Sequence, residues 1–580
     1  MIAATGGVVA TVLGVRVSSR SPATAFALSL VFALAWAVTA RRIGALTSDL
    51  AVADQWIANN SARLVIAMAI LAAVVTAVFH SRSVIGADAS GYLSYTALLL
   101  DGGLVRPEPL ESIATWLDGA ATLAPLGWRA ALEPGMQVPT YAIGLPLLLA
   151  PLHALGGAAA ASFVVPITLA IAIVAAGMLA RRVAGAAAAI IAAVWLATSP
   201  VALIEAMQVM SDVPVTAAWL VCWRLVFTAR PLAAGVAAAV AVLIRPNLAP
   251  LAIVPVLYVT FGNGRADQLL QGLGAQEARA REVGWVSRIG RGIQFSLPVA
   301  LAGAIVAYLQ WRYFGSPFRS GYGTAEEIYA VANIGANASL YARWLLATHG
   351  PWLFGAPLAL CVPASRAARD GRRDVGWLLA FAALVIAAYL IYAVFETWTY
   401  LRFLLPAMAV AMIAVSALVS VGLSRTPVAI RITVLALAVL ALVSFNVASA
   451  RELGVFRMAD RQVRARTVGE RLATLLPADA VIVSGEQSGA MRYYTGRSIV
   501  RWDLMDAAAM PEALAVLRLH RREVWVVLDD WEEEPFRRKF PDLAAVSIDA
   551  RPAIESASGV GVRTRAWLVE PIAEPRPRRD

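Results

Sequence analysis

Two acidic and two basic side chains, far apart along the chain, carry the types needed to break and remake a bond to phosphate: Asp88, Asp212, Arg245 and Arg402. A carboxylate can take the proton of an attacking hydroxyl, and a guanidinium can hold the negative charge of a departing phosphate oxygen. Asp88 stands in Gly86-Ala87-Asp88-Ala89-Ser90-Gly91-Tyr92, a few residues past an apolar run. Asp212 stands in Met210-Ser211-Asp212-Val213-Pro214, between two apolar runs. Arg245-Pro246 interrupts a long apolar stretch, and Arg402 lies in Glu396-Thr397-Trp398-Thr399-Tyr400-Leu401-Arg402-Phe403, just before another. Each also has a plainer reading. Interfacial aspartates are often only solvated, Ser-Asp-x-Pro is a good helix start, an arginine can snorkel to water, and Trp398 and Tyr400 suit an aromatic belt.

These residues need elements to bring them together. The chain has 580 residues, 59% hydrophobic and 15% charged, with a mean hydropathy of +0.69. A soluble globule carries about a quarter charged residues, so the long uncharged runs from residue 23 to 448 mark a polytopic membrane protein. Spans are expected at 62–80, 160–180, 186–206, 213–228, 293–312, 376–395, 403–422 and 430–448, with a shorter run at 351–363. The formal charge of +11 does not point to nucleic acid, because arginines cluster in short gaps between apolar runs. Lys539 is the single lysine. Arg181 and Arg182, Arg230, the group from Arg265 to Arg291, Arg366 to Arg373, and Arg425 with Arg431 mark one side, read as cytoplasmic.

That sidedness tests the topology. If 62–80 runs outward, the arginine clusters stay inside only when 232–261 forms two spans turning at Arg245-Pro246. About eleven core spans result, with one or two more helices before residue 62: 23–40 could span, and 1–15 could be a half-span or an uncleaved signal-like segment. The segment 138–155, with Pro139, Pro146 and Pro151, suits a re-entrant or interfacial piece. Were it to cross, Asp88 and Asp212 would face opposite sides. The expected division is an N-terminal membrane-associated segment over 1–61, a membrane domain over 62–450 with a long first external loop over 81–159, and a soluble extracytoplasmic domain over 451–580. In that last part strands are read at Val481–Ser484, 523–528 and Arg563–Leu568, and helices near 460–476 and 511–521, which predicts a small α/β unit. The loop from Ser484 to Gly489, after a strand, is weighed as a ligand loop or a simple turn.

The four histidines make no metal-ligand spacing, so no metal ligands are assigned and a divalent-metal requirement stays open. No phosphate loop or dinucleotide fingerprint occurs, which disfavours a directly bound nucleotide sugar. No cofactor is assigned.

Asp88 with Tyr92, the run from Pro139 through Tyr141 to Leu147, Ser211-Asp212-Val213-Pro214, and Leu401-Arg402-Phe403-Leu404-Leu405-Pro406 together resemble the GT-C membrane glycosyltransferases. Family 39, which includes protein O-mannosyltransferases and lipid A aminoarabinose transferases, is the nearest group. The resemblance covers about 62–450. It implies a GT-C-like helical fold and transfer of a sugar from a polyprenyl-phosphate donor to an extracytoplasmic glycolipid, glycan or protein, in the inner membrane. It also implies Asp88 and Asp212 as catalytic carboxylates, Arg245 near the donor phosphate, and Tyr92, Tyr141 and Arg402 in substrate binding. Many relatives have a second acid directly after the first, where this chain has Ala89. A transporter or flippase of lipid-linked saccharides is the alternative, but the two halves show no matching hydropathy. A purely structural anchor would not need so many spans.

Overall fold

The computed structural model describes residues 8–12, 15–19, 46–262, 277–361, 366–541, 548 and 550–569. The expected helix at 23–40 lies outside the described residues. Within 1–15, Val8–Val12 is a strand paired antiparallel with Val15–Ser19, not a half-span.

The chain is a polytopic helical membrane protein. Among the described residues seven helices are long and apolar enough to cross a bilayer, and Pro231–Ile244, Pro246–Gly262 and Pro351–Leu360 are shorter apolar ones. The outer helices turn leucines to the outside, with Leu297 66% and Leu437 55% exposed, as lipid-facing surfaces do. The inner seam is lined by alanines such as Ala188, Ala189, Ala192 and Ala193, small residues that let helix backbones approach closely.

Contacts define two ends. At one, Arg182 pairs with Asp374 at 2.9 Å, the Tyr258 hydroxyl donates to the same carboxylate at 2.8 Å, Ser420 donates to the Ala184 carbonyl, and Arg431 pairs with Asp54. This is the arginine-bearing end anticipated from the loops. At the other end the Ser81 amide donates to the Met207 carbonyl at 2.8 Å, joining the exit of the Leu46–Val78 helix to that of Pro200–Ala206.

The apolar runs at 160–180 and 186–206 fold as expected. The Val164–Thr198 helix breaks at Ala184 and Gly185, and Gly177 then lies against the Ala189 carbonyl. Twelve residues of continuous helix would separate those two by about 18 Å, so the chain reverses here. The stretch 232–261 reverses too. Arg230 precedes the Pro231–Ile244 helix at the arginine-bearing end, Arg245 lies at the other, and the 3-10 helix Pro246–Ala252 and its continuation return Tyr258 to Asp374. Proline at 246 and 250 removes amide donors and favours the tighter winding.

The segment at 138–155 does not cross. The helix Gly144–Ala161 starts against the backbone of Leu243 and Ile244, breaks at Gly156 and Gly157, and leads to Phe163, whose ring stacks on His80 at 6.1 Å. Both flanks lie at the Ser81 end, so its length and apolarity do not shift the topology.

The region after the first long helix is structured. Helix Gly86–Leu100 lies beside Gly144–Ala161, and Arg106–Pro107, Met136–Pro139 and Trp128–Ala130 form a small antiparallel sheet. Gly127, at φ +90°, brings its backbone onto that of Gly91, where an added Cβ would lie 2.5 Å from the Gly91 Cα. The segment after Tyr313 folds over this sheet: Arg129 donates to the Gly321 carbonyl at 2.8 Å, and the Tyr322 ring meets Tyr141 at 5.9 Å.

The C-terminal unit is a five-stranded mixed sheet in the order Ser498–Val500, Val481–Ser484, Val524–Asp529, Arg563–Leu568, Ile554–Ala557. The strands read at Val481–Ser484 and Arg563–Leu568 stand where expected, and 523–528 is found as Val524–Asp529. Its apolar core includes Leu110, Trp116 and Leu123 of the first long loop. The two parts are locked by a buried polar node: Glu108 accepts from Ser498 and pairs with Arg492 at 3.4 Å. Ser488 receives the Leu126 amide at 3.1 Å, and the Tyr494 hydroxyl the Val84 amide at 2.6 Å.

The Gly91–Gly127 crossing leaves no room for a methyl group. Gly127→Ala is expected to destabilise the protein by roughly 1–3 kcal/mol, since it adds overpacking to a left-handed backbone. A lowered unfolding temperature in detergent would show it; an unchanged one would contradict the packing described.

Candidate functional site

The site is built where four chain segments meet at the Ser81 side. Gly86, at φ +67°, turns the chain into the Gly86–Leu100 helix and puts Asp88 in its first turn, where the helix dipole favours an acid. Asp212 opens the helix Asp212–Phe227 in the same way, with Pro214 in its first turn. Arg245 caps Pro231–Ile244 at the turn of the hairpin. Arg402 lies in the 3-10 helix Trp398–Leu404, which leads directly into Leu405–Leu423.

All four sequence-identified charges meet. Arg402 reaches Asp88 at 3.0 Å, and its other terminal nitrogen is 3.9 Å from both Glu205 and Asp212. The same nitrogen donates to the Met210 sulfur at 3.2 Å, while the buried Nε has no hydrogen-bond partner among the described residues. Arg245 pairs with Asp212 at 2.6 Å and donates to the Ser211 and Tyr389 hydroxyls, each at 3.0 Å. The Phe403 ring lies between the two guanidiniums, 5.1 Å from Arg245 and 5.4 Å from Arg402. Desolvated cations over aromatic faces gain from the ring quadrupole.

Tyr92 and Tyr141 complete the cluster, with ring centroids 4.5 Å apart. Burial, reinforced by Asp88, holds both hydroxyls well above the ordinary phenol range, so they remain protonated donors. Asp88 and Asp212 thus lie on the same side, and the placement that would have separated them across a bilayer does not occur.

Glu205 is the member that the sequence reading passed over. It is 1% exposed, on the helix Pro200–Ala206. The signal was present, since an acid inside a span-length apolar run is functional by default. Tyr389, buried in the run at 376–395, was missed because its only mark is a hydroxyl amid apolar neighbours.

A cavity of about 680 Å³ opens on this cluster, lined on one side by Asp88, Glu205, Met210, Tyr400 and Arg402 and on the other by the C-terminal unit. Asp212 and Arg245 are not among its lining residues. Arg245 spends its donors on protein partners behind the wall, and the arginines that line the space are Arg402, from the helical part, and Arg501, from the C-terminal unit. The loop Gly485–Glu486, weighed earlier as a turn or a ligand loop, forms part of the opposite wall. Its amide at Glu486 donates to Glu532 at 2.8 Å, and Glu532 also accepts from the Asp529 amide at 3.0 Å in a capping box. Burial raises the Glu532 carboxyl to about 7, against the opposing pull of those two amides. Among the described residues no group of three or more His, Cys, Asp or Glu side chains is placed to hold a metal ion.

Comparison with solved structures gives a fold. ArnT from Cupriavidus metallidurans bound to undecaprenyl phosphate aligns with a TM-score of 0.50 at 12% identity, covering 87% of this chain and 97% of that one. The apo form of the same protein aligns at 0.48 and 13% identity, over 89% and 98%. The oligosaccharyltransferase AglB from Archaeoglobus fulgidus, in complex with an inhibitory peptide and a dolichol-phosphate, aligns at 0.49 and 13%, over 80% and 69%. No family model and no curated protein matches the sequence. The likeness to ArnT extends over nearly all of both chains, and it establishes the GT-C-like architecture that the motifs resembled.

Two outcomes are expected of the cluster. Arg402→Met leaves half-buried Asp88 and buried Glu205 and Asp212 short of a counter-charge and should destabilise by about 3–5 kcal/mol, with Glu205→Gln in the same chain restoring part of the loss. Independent, additive unfolding shifts would contradict the shared pairing. Glu532 binds a proton more tightly folded than unfolded, so its contribution to stability is complete below about pH 4.5 and is lost as pH rises to about 7. Unfolding followed across that window should show a loss of roughly 3 kcal/mol that Glu532→Gln flattens; identical pH profiles would argue against it.

Proposed function

We propose that this protein is an inner-membrane glycosyltransferase that moves a sugar from a polyprenyl-phosphate carrier to a hydroxyl-bearing extracytoplasmic acceptor. The observation that carries the reading is the Asp88–Arg402 pair on the wall of a cavity at the end of the bundle opposite the arginine-bearing loops. The likeness in fold to ArnT, a protein bound to undecaprenyl phosphate, supports the choice of donor class. The proposed division is a membrane-associated segment over 1–61, a catalytic membrane domain over 62–450 and an extracytoplasmic domain over 451–580.

The chemistry follows from the residues. The lipid tail stays among the helices and its phosphate enters the cavity, where Arg402 is the guanidinium that the helical part contributes to the wall. As the phosphate takes that guanidinium, Asp88 gives up its ion-pair partner and becomes a stronger acceptor. The acceptor hydroxyl oxygen attacks the sugar C1, the C1–O bond to phosphate breaks with its electron pair going to the phosphate, and the hydroxyl proton passes to Asp88. Arg402 then holds the added negative charge. Asp212, paired with Arg245, and Glu205 fix Arg402 from behind and keep the charge cluster near balance. Tyr92 and Tyr141 supply fixed donors beside Asp88. A transporter or flippase would use the same charges for binding alone, with no bond made.

The test is transfer by the purified chain in proteoliposomes supplied with radiolabelled undecaprenyl-phosphate-linked sugars and cell-envelope glycolipid. Asp88→Asn should lower transfer by about 10²–10⁴-fold, the usual contribution of a general base, while undecaprenyl phosphate still binds. Translocation of labelled lipid without any transfer, or undiminished transfer by Asp88→Asn, would overturn this reading or the role of Asp88 respectively.

A further inference from the structure

The wall facing Asp88 and Arg402 has a composition of its own. Trp531 is 47% exposed although it belongs to a folded unit with a packed core. Its ring is nonetheless backed by a cation: the Arg464 guanidinium lies 5.1 Å from its centroid. Arg464 is anchored in turn by Asp529 at 3.0 Å, and the backbone of Glu486 by Glu532. Beside it, Arg501 pairs with Asp503, and the Arg501 amide is fixed to the Thr122 carbonyl at 2.7 Å. An aromatic face backed by a cation and left open to a cavity offers a flat apolar surface for a ligand to rest on. The same cavity is lined by a carboxylate, Glu486, and by the Arg501–Asp503 pair, groups that can accept and donate hydrogen bonds beside the ring.

That pairing of a flat apolar plate with planar polar groups at its edge matches a pyranose or furanose ring, which has C–H faces and hydroxyls around its perimeter. Charge-assisted hydrogen bonds from carboxylate and guanidinium suit vicinal hydroxyls. Asp88, Tyr400, Glu486 and Trp531 line the same cavity, so a ring resting on Trp531 would share that space with the group assigned as base. The cavity, about 680 Å³, falls within the range of small-ligand sites, roughly 300–1,000 Å³. We infer that Trp531, Glu486 and the Arg501–Asp503 pair form the acceptor subsite, and that the acceptor presents a carbohydrate ring there. This rests on the glycosyltransferase reading for its meaning as an acceptor site, but binding of a sugar ring to this wall stands or falls independently.

The test uses the full chain in lipid nanodiscs and saturation-transfer NMR with a panel of methyl glycosides of hexoses and pentoses as probes. Undecaprenyl phosphate binding is measured on the same samples by native mass spectrometry. At least one glycoside is expected to receive saturation at its ring C–H protons, with binding weakened tenfold or more in Trp531→Ala, partly retained in Trp531→Phe, and weakened in the isosteric Glu486→Gln. Trp531→Phe and Glu486→Gln keep the fold, so they decide the matter if Trp531→Ala does not fold. Absence of saturation for every glycoside, saturation unaltered in Trp531→Phe and Glu486→Gln, or binding of a serine- and threonine-containing peptide in place of all glycosides would each overturn the inference. Glycoside binding with no affinity for undecaprenyl phosphate would instead sink the donor assignment and leave the carbohydrate subsite standing.

Discussion

A guanidinium buried at the end of a helical bundle has to be compensated, and Arg402 is compensated by carboxylates from three separate segments: Asp88, Glu205 and Asp212. Taking any one of these charges out of water alone would cost several kcal/mol. The arrangement is therefore tolerable only when all the segments are in place, which makes the site a consequence of the completed fold. The glycine crossing at Gly91 and Gly127, the reversal at Arg245 and the proline-led turn at Pro200 each deliver one of the groups. Arg245 does for Asp212 what Arg402 does for Asp88, from a position behind the wall. Two positive and three negative groups, partly shielded by Phe403 and Tyr400, leave a site close to neutral, ready to exchange one anion for another.

The division of labour between the two parts of the molecule follows from the same geometry. The helical part carries the ion-pair cluster, and the C-terminal sheet unit closes the cavity over it. The closure is rigid because the first long loop shares its core with that unit through Leu110, Trp116 and Leu123, and because Glu108 is buried among Arg492, Ser498 and Gln137 at the seam. A reaction that transfers a group from lipid to an acceptor needs such a space, dry on one side and able to admit a polar molecule on the other. The wall-facing tryptophan and acid give that second side its character.

Much of this was legible in the residues. Apolar runs and arginine clusters indicated which loops share an end of the bundle, because membrane insertion itself is biased by such charges. They also required the hairpin at Arg245, which the contacts of Tyr258 with Asp374 bear out. The charged side chains stood out for the reason that makes them functional: an ion in an apolar context is expensive. Glu205 escaped because it sits late in a run that reads as an ordinary span, and Tyr389 because a tyrosine among apolar residues looks like packing. The cavity's far wall was harder to see. Trp531 and Glu486 are polar-surface residues of a small α/β unit, and their relation to Asp88 depends on how that unit docks, which no local pattern encodes. The exclusion of Arg245 from the cavity lining is of the same kind, since a side chain's partners are set by tertiary packing and not by its place in a turn.

The central claim is that a lipid-linked phosphate docks against the Arg402 cluster at the end of the bundle opposite the arginine-bearing loops. A cryo-electron microscopy structure of the chain in nanodiscs with undecaprenyl phosphate tests it most directly. The account expects phosphate oxygens within about 4 Å of the Arg402 guanidinium, an ion-pair distance, with the Asp88 carboxylate displaced from that guanidinium. A phosphate bound instead beside Arg182 and Arg431, or an Arg402–Asp88 pair left intact with the lipid elsewhere, would contradict it.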